Sequence, residues 1–113
     1  MDPKRPKSHW GPALWAFLHT IAVIDHDEPD IRQKMIADCL IILRGIEHVI
    51  PCHKCVAFWK EFMESLSDIK SSIVNENMGL FRLLWEFHNK VNVKLGKPTI
   101  EYDTAITIYC RGT

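Results

Sequence analysis

Apolar residues recur at intervals of three and four along most of the chain, which is the spacing of amphipathic helices rather than of strands. The pattern predicts helices over residues 8–23, 30–49, 52–66 and 75–95. Residues 100–110 fit either a strand or a short fifth helix, and propensity does not decide between them. The chain is therefore predicted to be all-α, a four-helix bundle with a short C-terminal appendage.

Each predicted helix carries apolar residues on a face that is expected to be buried. In the first three helices these residues are Trp10, Leu14, Phe17, Leu18 and Ile21; Ile31, Met35, Cys39, Ile42 and Ile46; and Cys55, Trp59, Phe62 and Leu66. The fourth helix has two such stripes, which are Leu80, Leu84, Phe87 and Val91, and Phe81, Trp85, His88, Asn92 and Leu95. Gly96 and Pro98 then predict the end of this helix, because both residue types commonly follow a helix C-terminus.

The length, charge and apolar content of the chain exclude several classes of protein. The 113 residues are predicted to form one domain over residues 8–113, after a Pro- and Lys-rich leader over residues 1–7 that is expected to be mobile. Lys plus Arg and Asp plus Glu number 14 each, so no net positive charge favours nucleic acid. No apolar run approaches the roughly 20 residues that cross a bilayer, and no secretory signal is visible. We therefore expect no nucleic-acid partner, no membrane contact and a cytoplasmic location.

Two cysteines separated by two residues, Cys52 and Cys55, directly follow Pro51 at the predicted start of the third helix. This spacing lets two thiols close a small disulfide ring. The helix N-terminus and the intervening Lys54 favour the thiolate, which is the form that attacks disulfides. In a chain without a secretory signal, such cysteines more often carry out redox chemistry or bind metal than form structural disulfides.

The alternative for this pair is half of a zinc site, with further ligands drawn from His48, His53 and Cys39. The pair alone favours neither interpretation. The second CxxC or the paired histidines of a common zinc finger are missing, which favours redox chemistry and no metal. A non-enzymatic, zinc-stabilised helical module that binds a partner stays the rival hypothesis. A thioredoxin-like reductant is disfavoured, because no βαβ pattern surrounds the cysteines.

Polar residues on otherwise apolar faces indicate a ligand between the helices. Gly11, Trp15 and His19 share a face at intervals of four and suit a planar ligand, although a core aromatic beside a solvated histidine is the simpler interpretation. His88 and Asn92 lie on a stripe with apolar residues, where burial without partners would cost a few kcal/mol. Lysines at the end of that helix either complement its dipole or reach a phosphate. Together these features indicate a nucleotide-like ligand.

Three segments together resemble the Erv/ALR family of FAD-linked sulfhydryl oxidases. They are Trp15-x-x-x-His19, Cys52-x-x-Cys55, and residues 88–98 with the pattern His-Asn-x-Val-Asn-x-x-Leu-Gly-Lys-Pro. Their order and separation match over residues 10–112, and the short chain resembles the viral members. The resemblance implies a four-helix bundle, usually a homodimer, with FAD bound at one end.

The resemblance also implies an activity and its residues. Electrons would pass from a substrate dithiol to the Cys52–Cys55 disulfide, then to FAD, and then to O2, which becomes H2O2. Cys52 would be the sulfur that the substrate thiolate attacks, and Cys55 would lie against the flavin. The residues implied to hold FAD are Gly11, Trp15, His19, Trp59, His88, Asn89, Val91, Asn92, Lys94, Lys97 and Tyr109, the last in place of a tryptophan in relatives.

The chain departs from this family at its other cysteines. Many cellular relatives have a disulfide at the positions of Trp85 and Tyr102, and we expect aromatic packing there instead, worth ~1 kcal/mol beyond burial. No second CxxC is present, so electrons are expected to come directly from a dithiol protein or a thioredoxin-like carrier. Cys39 is expected to be a small buried hydrophobe and Cys110 to remain a thiol. The viral resemblance implies work on virion proteins in the host cytoplasm.

Overall fold

The computed structural model describes residues 7–50, 53–68 and 73–110, and within these ranges it contains helices and no strand. The elements are α1 (Lys7–Ile21), α2 (Pro29–Ile46), α3 (His53–Asp68), α4 (Gly79–Lys94) and α5 (Tyr102–Cys110). The all-α prediction is confirmed, and the tail is a fifth helix rather than a strand. The predicted leader lies almost wholly outside the described residues. No helix in the described ranges is long and apolar enough to cross a membrane.

One apolar core receives side chains from all five helices. Its most deeply buried large residues are Leu18, Leu43, Leu80, Phe81 and Leu84. The short α5 packs across α1 and α4, and it contributes Ala105 to the core. The appendage is therefore a fifth packed helix that covers one side of the predicted bundle.

The buried face of α2 differs from the predicted one. Ile31, Met35 and Ile42 are about 40% exposed, whereas Ile36 and Leu43 are buried. Two overlapping stripes share Cys39 and Ile46 on this helix, and the core takes the stripe that lies one residue further along. Phe17 of α1 and Leu95 after α4, also predicted to be buried, are exposed as well.

The turn before α4 delays the start of this helix from the predicted residue 75 to Gly79. Met78 has a φ of 60°, in the left-handed region, so the helix cannot begin before it. The Met78 N–H donates to the Ile24 carbonyl oxygen at 2.9 Å, which ties this turn to the connection after α1. A Cβ on Gly79 would overlap the Ile73 carbonyl oxygen, so only glycine fits at this position.

Side chains join α4 to α5 where the resemblance places a disulfide in cellular relatives. The rings of Trp85 and Tyr102 meet edge to face, with centroids 5.2 Å apart and planes at 74°, so the predicted aromatic packing is confirmed. Trp85 Nε1 donates to the Ile100 carbonyl oxygen at 2.7 Å. The Asn89 amide donates to that oxygen at 2.9 Å and accepts from the Ile100 N–H at 2.8 Å. The connection before α5 is thereby held against α4.

Replacing Trp85 by alanine is expected to lower the free energy of unfolding by about 2–3 kcal/mol, because both the ring contact and the hydrogen bond are lost. Trp85→Phe keeps a ring and loses only the hydrogen bond, so a loss of about 1 kcal/mol is expected. Urea unfolding followed by circular dichroism measures both variants. Equal losses in the two variants would show that the ring contact contributes nothing.

Candidate functional site

A stack of aromatic and imidazole rings lies among α1, α4 and α5, in which His19 and His88 are buried and Trp15 and Tyr109 are half-buried. The rings of Trp15 and His88 lie face to face, with centroids 3.8 Å apart and planes at 10°. Tyr109 of α5 stacks on His19 at 4.2 Å. His19 Nε2 and His88 Nδ1 are hydrogen-bonded at 3.0 Å. Four of the residues predicted to hold a cofactor, from three helices, therefore form one ring cluster.

The burial of His19 corrects the interpretation that periodicity alone favoured. His19 has no exposed surface, so it is not a solvated histidine beside a core aromatic. Tyr109 lies over its ring because α5 packs across α1, and a contact between residues so far apart in sequence leaves no mark in local spacing.

The two imidazoles of the ring cluster are neutral at pH 7. Burial, and then the neighbouring His88, lowers the pKa of His19 to about 3. Burial, and then the Lys97 cation, lowers the pKa of His88 to about 4. In a neutral pair one ring donates its hydrogen to the other. His19 Nδ1 is then a buried polar atom without a hydrogen-bond partner among the described residues, which costs free energy unless a ligand satisfies it.

The lowered pKa values of His19 and His88 predict that the fold loses stability in acid. Both values lie below the ordinary 6.5, so the unfolded chain binds more protons than the native protein below that pH. The stability is fully present above pH 6.5 and is lost as the pH falls toward 4 and 3. We expect the free energy of unfolding to fall by more than about 1 kcal/mol per pH unit over this range.

Urea unfolding at pH 7, 6, 5 and 4 measures this dependence. The matched control is His48→Ala, which removes an exposed imidazole and keeps both buried rings. A free energy of unfolding that stays constant between pH 6.5 and 4 would contradict the neutral buried pair.

Helix α4 ends beside the ring cluster with a glycine C-cap, as Gly96 predicts. Gly96 has a φ of 71°, and its N–H donates to the Val93 carbonyl oxygen at 3.1 Å. The Lys97 N–H donates to the Asn92 carbonyl oxygen at 2.8 Å, which completes a Schellman motif. Asn92, one turn after His88, is buried, whereas the Lys97 side chain is exposed. The motif therefore fixes a cation at the end of the helix that carries the histidine.

The residues of this region fit FAD. The flat rings of the cluster suit the apolar faces of a nucleotide. His19 Nδ1 is a buried polar atom that has no hydrogen-bond partner among the described residues. The exposed lysines at the end of α4 suit a phosphate group.

Two other residues that were predicted to belong to the site, Cys55 and Trp59, lie on α3. Cys55 is half-buried in the first turn of α3, and Cys52 falls outside the described residues. Trp59, only 2% exposed, donates its indole N–H to the Leu43 carbonyl oxygen at 2.7 Å. The Phe87 ring lies 5.7 Å from Trp59 and 5.9 Å from Trp15, so it connects α3 to the ring cluster.

The remaining predicted cofactor residues lie around the ring cluster without joining it. The side-chain amide of Asn89 forms hydrogen bonds with the Ile100 backbone, so Asn89 has a structural role. Val91 and Gly11 are half-buried. Lys94 is exposed, with its Nζ 3.8 Å from a Glu61 carboxylate oxygen. The contribution of these residues to cofactor binding stays a prediction.

The described residues do not test the zinc hypothesis, because Cys52, one of its proposed ligands, lies outside them. No group of three or more His, Cys, Asp and Glu side chains in these ranges is placed to hold a metal ion. Cys39 is 4% exposed within the apolar core, which confirms that it is a small buried hydrophobe. Burial raises the pKa of its thiol to about 11, so the thiolate that zinc needs is disfavoured.

The sequence pattern predicts Phe81 and Phe87 on the apolar stripes of α4, and neither residue was predicted to belong to the site. Phe81 lies 5.4 Å from the His19 ring and 6.5 Å from the Tyr109 ring. Phe81 lies seven residues before His88, which places both residues on one face of α4. This spacing is the sequence signal that could have assigned Phe81 to the site. Both phenylalanines line the site because they pack against rings of other helices.

Within the part of the chain that the structure describes, a helix begins at the CxxC and a buried ring pair holds an unsatisfied nitrogen. This combination fits a helical, cofactor-dependent thiol redox protein. Residues 12–110 match the family model described as the Erv1 / Alr family. The match covers most of the chain, so the chain belongs to this family.

Curated relatives carry the corresponding names. An African swine fever virus protein (isolate Pig/Kenya/KEN-50/1950), named FAD-linked sulfhydryl oxidase, is 31% identical over 102 residues, 89% of this chain and 80% of that protein. The mitochondrial FAD-linked sulfhydryl oxidase ERV1 of Saccharomyces cerevisiae is 33% identical over 92 residues, 80% of this chain. The match spans 45% of the yeast protein, so this chain corresponds to less than half of it. No solved structure matches the chain.

Proposed function

We propose that this chain is an FAD-dependent thiol oxidase that forms disulfide bonds in protein substrates. The observation that carries the proposal is the ring cluster of Trp15, His19, His88 and Tyr109, with the unsatisfied nitrogen of the buried His19, in a chain of the Erv1/Alr family. The net reaction oxidises a client dithiol to a disulfide and reduces O2 to H2O2, with two electrons and two protons transferred.

The thiol steps use the two cysteines at the start of α3. A client thiolate attacks the Cys52 sulfur, which breaks the Cys52–Cys55 bond, forms a mixed disulfide and releases the Cys55 thiolate. The second client thiolate then attacks the client sulfur of the mixed disulfide, which completes the client disulfide and releases Cys52. The N-terminus of α3, free of acidic residues in its first turn, and Lys54 favour these thiolates. Bound FAD supplies the two-electron chemistry that links the thiols to O2.

The chain holds its cofactor mainly with residues of α1 and α4. Trp15 and Tyr109 provide apolar ring faces, and the neutral His19 and His88 provide hydrogen-bonding nitrogens without a buried charge. The further residues proposed to contact FAD are Gly11, Trp59, Asn89, Val91, Asn92, Lys94 and Lys97. Lys94 and Lys97, at the end of α4, suit the pyrophosphate.

The proposed client is a dithiol protein or a thioredoxin-like carrier, and the proposed place of work is the host cytoplasm, on virion proteins. The support is that several relatives are viral, and that the African swine fever virus relative is matched over 80% of its length. The yeast relative is matched over 45% of its length.

A homodimer is also proposed, and an exposed apolar stripe on α2 supports it. Ile31, Met35 and Ile42 share this face and are each about 40% exposed. A stripe of this kind on a small protein favours contact with a partner surface. We expect sedimentation velocity to report a dimer that Ile42→Glu weakens and that Ile41→Glu, on another side of α2, leaves intact. A monomer at all concentrations would exclude the dimer.

Oxidation of dithiothreitol tests the proposed function. With FAD present, each mole of dithiothreitol oxidised should consume one mole of O2 and produce one mole of H2O2. A protein that binds stoichiometric zinc, rejects FAD and consumes no O2 would instead support the zinc-stabilised module.

A further inference from the structure

Helix α3, at whose start the proposed redox cysteines lie, is held to the other helices by side chains rather than by close approach of backbones. Within the described ranges, the backbones of α1, α4 and α5 approach one another more closely than any of them approaches α3. Lys94 of α4 reaches α3 from solvent, with its Nζ 3.8 Å from a Glu61 carboxylate oxygen and 4.4 Å from the centre of the Phe58 ring. Exposed ion pairs contribute little free energy. The placement of α3 therefore depends on its buried rings.

Three aromatic rings connect α3 to α4. Trp59 and Phe62 of α3 are 2% and 4% exposed, and their ring centroids lie 5.2 Å apart. Phe87 of α4 stacks on Phe62, with centroids 4.5 Å apart and planes at 20°, and it meets Trp59 edge to face at 5.7 Å. Because Cys55 stands four residues before Trp59, the two residues share one face of α3. Phe87 therefore packs against the face of the helix that carries Cys55.

Phe87 also contacts the ring cluster. Its centroid lies 5.9 Å from that of Trp15, whose ring stacks on His88 at 3.8 Å. Phe87 directly precedes His88 in α4, and neighbouring side chains on a helix project about 100° apart. Successive residues of α4 thus provide one ring of the cluster and one ring that packs on α3. A displacement of Phe87 would therefore change how α3 lies against the ring cluster.

We propose that Phe87 is a positioning residue that sets the distance between Cys55 and the cofactor held by the ring cluster. The inference rests on the proposed oxidase function, because it concerns the step in which the Cys52 and Cys55 thiols form their disulfide again and give two electrons and two protons to FAD. Phe87 takes no part in the bonds that form or break. It fixes the approach of the reacting groups, and a misplacement of about 1 Å can slow a reaction by about a hundredfold.

The rate at which thiols reduce bound flavin tests this role. Phe87→Ala removes the ring that links α3 to the ring cluster, and Phe87→Tyr keeps a ring there. We expect flavin reduction by saturating anaerobic dithiothreitol, followed by stopped-flow absorbance, to slow by about tenfold or more in Phe87→Ala and to stay near the original rate in Phe87→Tyr. Leu83→Ala is the matched control, because it removes a buried apolar side chain one turn earlier on α4 and leaves the rings in place. It should leave the rate unchanged.

A spectroscopic signature separates positioning from a loss of stability. In a Cys52→Ser background Cys55 cannot form the disulfide, and a thiolate in contact with oxidised flavin gives charge-transfer absorbance at long wavelength. We expect this absorbance to weaken in Phe87→Ala while FAD affinity, measured by flavin fluorescence, stays the same. Unchanged absorbance and unchanged flavin reduction in folded, FAD-loaded Phe87→Ala would overturn the proposal. Lower FAD affinity with normal absorbance at saturating FAD would also overturn it, because Phe87 would then belong to the cofactor site.

A further measurement needs no flavin, and it therefore separates this proposal from the oxidase function. Cys55 is half-buried, so its alkylation by iodoacetamide in flavin-free Cys52→Ser protein, followed by mass spectrometry, reports how firmly α3 is held. We expect alkylation to be several-fold faster in Phe87→Ala and unchanged in Leu83→Ala. An unchanged rate in Phe87→Ala would overturn the proposal even if dithiothreitol is oxidised. Faster alkylation in a protein that binds no FAD would support the hold of Phe87 on α3 and refute only the oxidase function.

Discussion

Cys55→Ala is expected to lose turnover by a factor of roughly 10³ or more and to keep its FAD. Without the Cys55 thiolate, no Cys52–Cys55 disulfide exists for a client to reduce, so client electrons have no route into the protein. The ring cluster belongs to α1, α4 and α5, whereas Cys55 belongs to α3, so cofactor retention should survive. Oxygen consumption with dithiothreitol measures turnover, and absorbance near 450 nm measures bound flavin.

Cys39→Ala is the matched control for this experiment. It also removes a thiol, but one that is buried in the apolar core, so turnover should remain while stability falls modestly. Cys55→Ala protein that turns over at the normal rate would show that the CxxC does not carry the electrons.

His88→Ala is expected to lower the affinity for FAD by about tenfold or more. The change removes the ring stacked on Trp15 and leaves His19 Nε2 without its hydrogen-bond partner. Each of these losses costs on the order of 1 kcal/mol, and about 1.4 kcal/mol corresponds to a factor of ten in affinity. Equilibrium titration of the apoprotein with FAD, followed by flavin fluorescence, measures the change.

His48→Ala removes an exposed histidine that is not part of the ring cluster and should leave FAD affinity unchanged. Circular dichroism identifies any His88→Ala protein that has failed to fold. A conservative replacement, His88→Gln, keeps a polar side chain and should retain FAD better than alanine does. Unchanged FAD affinity in folded His88→Ala protein would remove the ring cluster from the cofactor site.

Local sequence signals predicted several features of the fold correctly. Gly96 marked the end of α4 because the residue after a helix commonly adopts a positive φ, which glycine tolerates best. The packing of Trp85 against Tyr102, by contrast, was predicted from the family resemblance and not from a local signal. Cys39 was predicted to be buried from its neighbours at helical spacing, and it is.

Other features depend on contacts between distant parts of the chain. The buried face of α2 was misplaced by one residue because two overlapping stripes share Cys39, and only packing against other helices selects between them. Burial of His19 depends on Tyr109, ninety residues later, and on the hydrogen bond to His88. The start of α4 depends on the contact of Met78 with Ile24. Because these contacts join residues that are far apart in the chain, the local pattern of apolar and polar residues does not predict them.

The identity of the cofactor also lay beyond residue-by-residue reasoning. Spacing and burial indicated a planar, nucleotide-like ligand, and the CxxC fitted redox chemistry or zinc equally well. The order of three motifs connected the chain to the Erv1/Alr family, and the match over residues 12–110 confirmed that membership. The structure adds the unsatisfied nitrogen of the buried His19, which is a hydrogen-bonding atom available to a ligand.

The visible absorbance spectrum of the purified protein, before and after anaerobic dithiothreitol, shows whether thiol electrons reach a bound flavin and then O2. We expect yellow flavin bands that bleach when the thiol is added and return when air is admitted. A colourless protein that takes up no added FAD, or a bound flavin that dithiothreitol does not bleach, would contradict it.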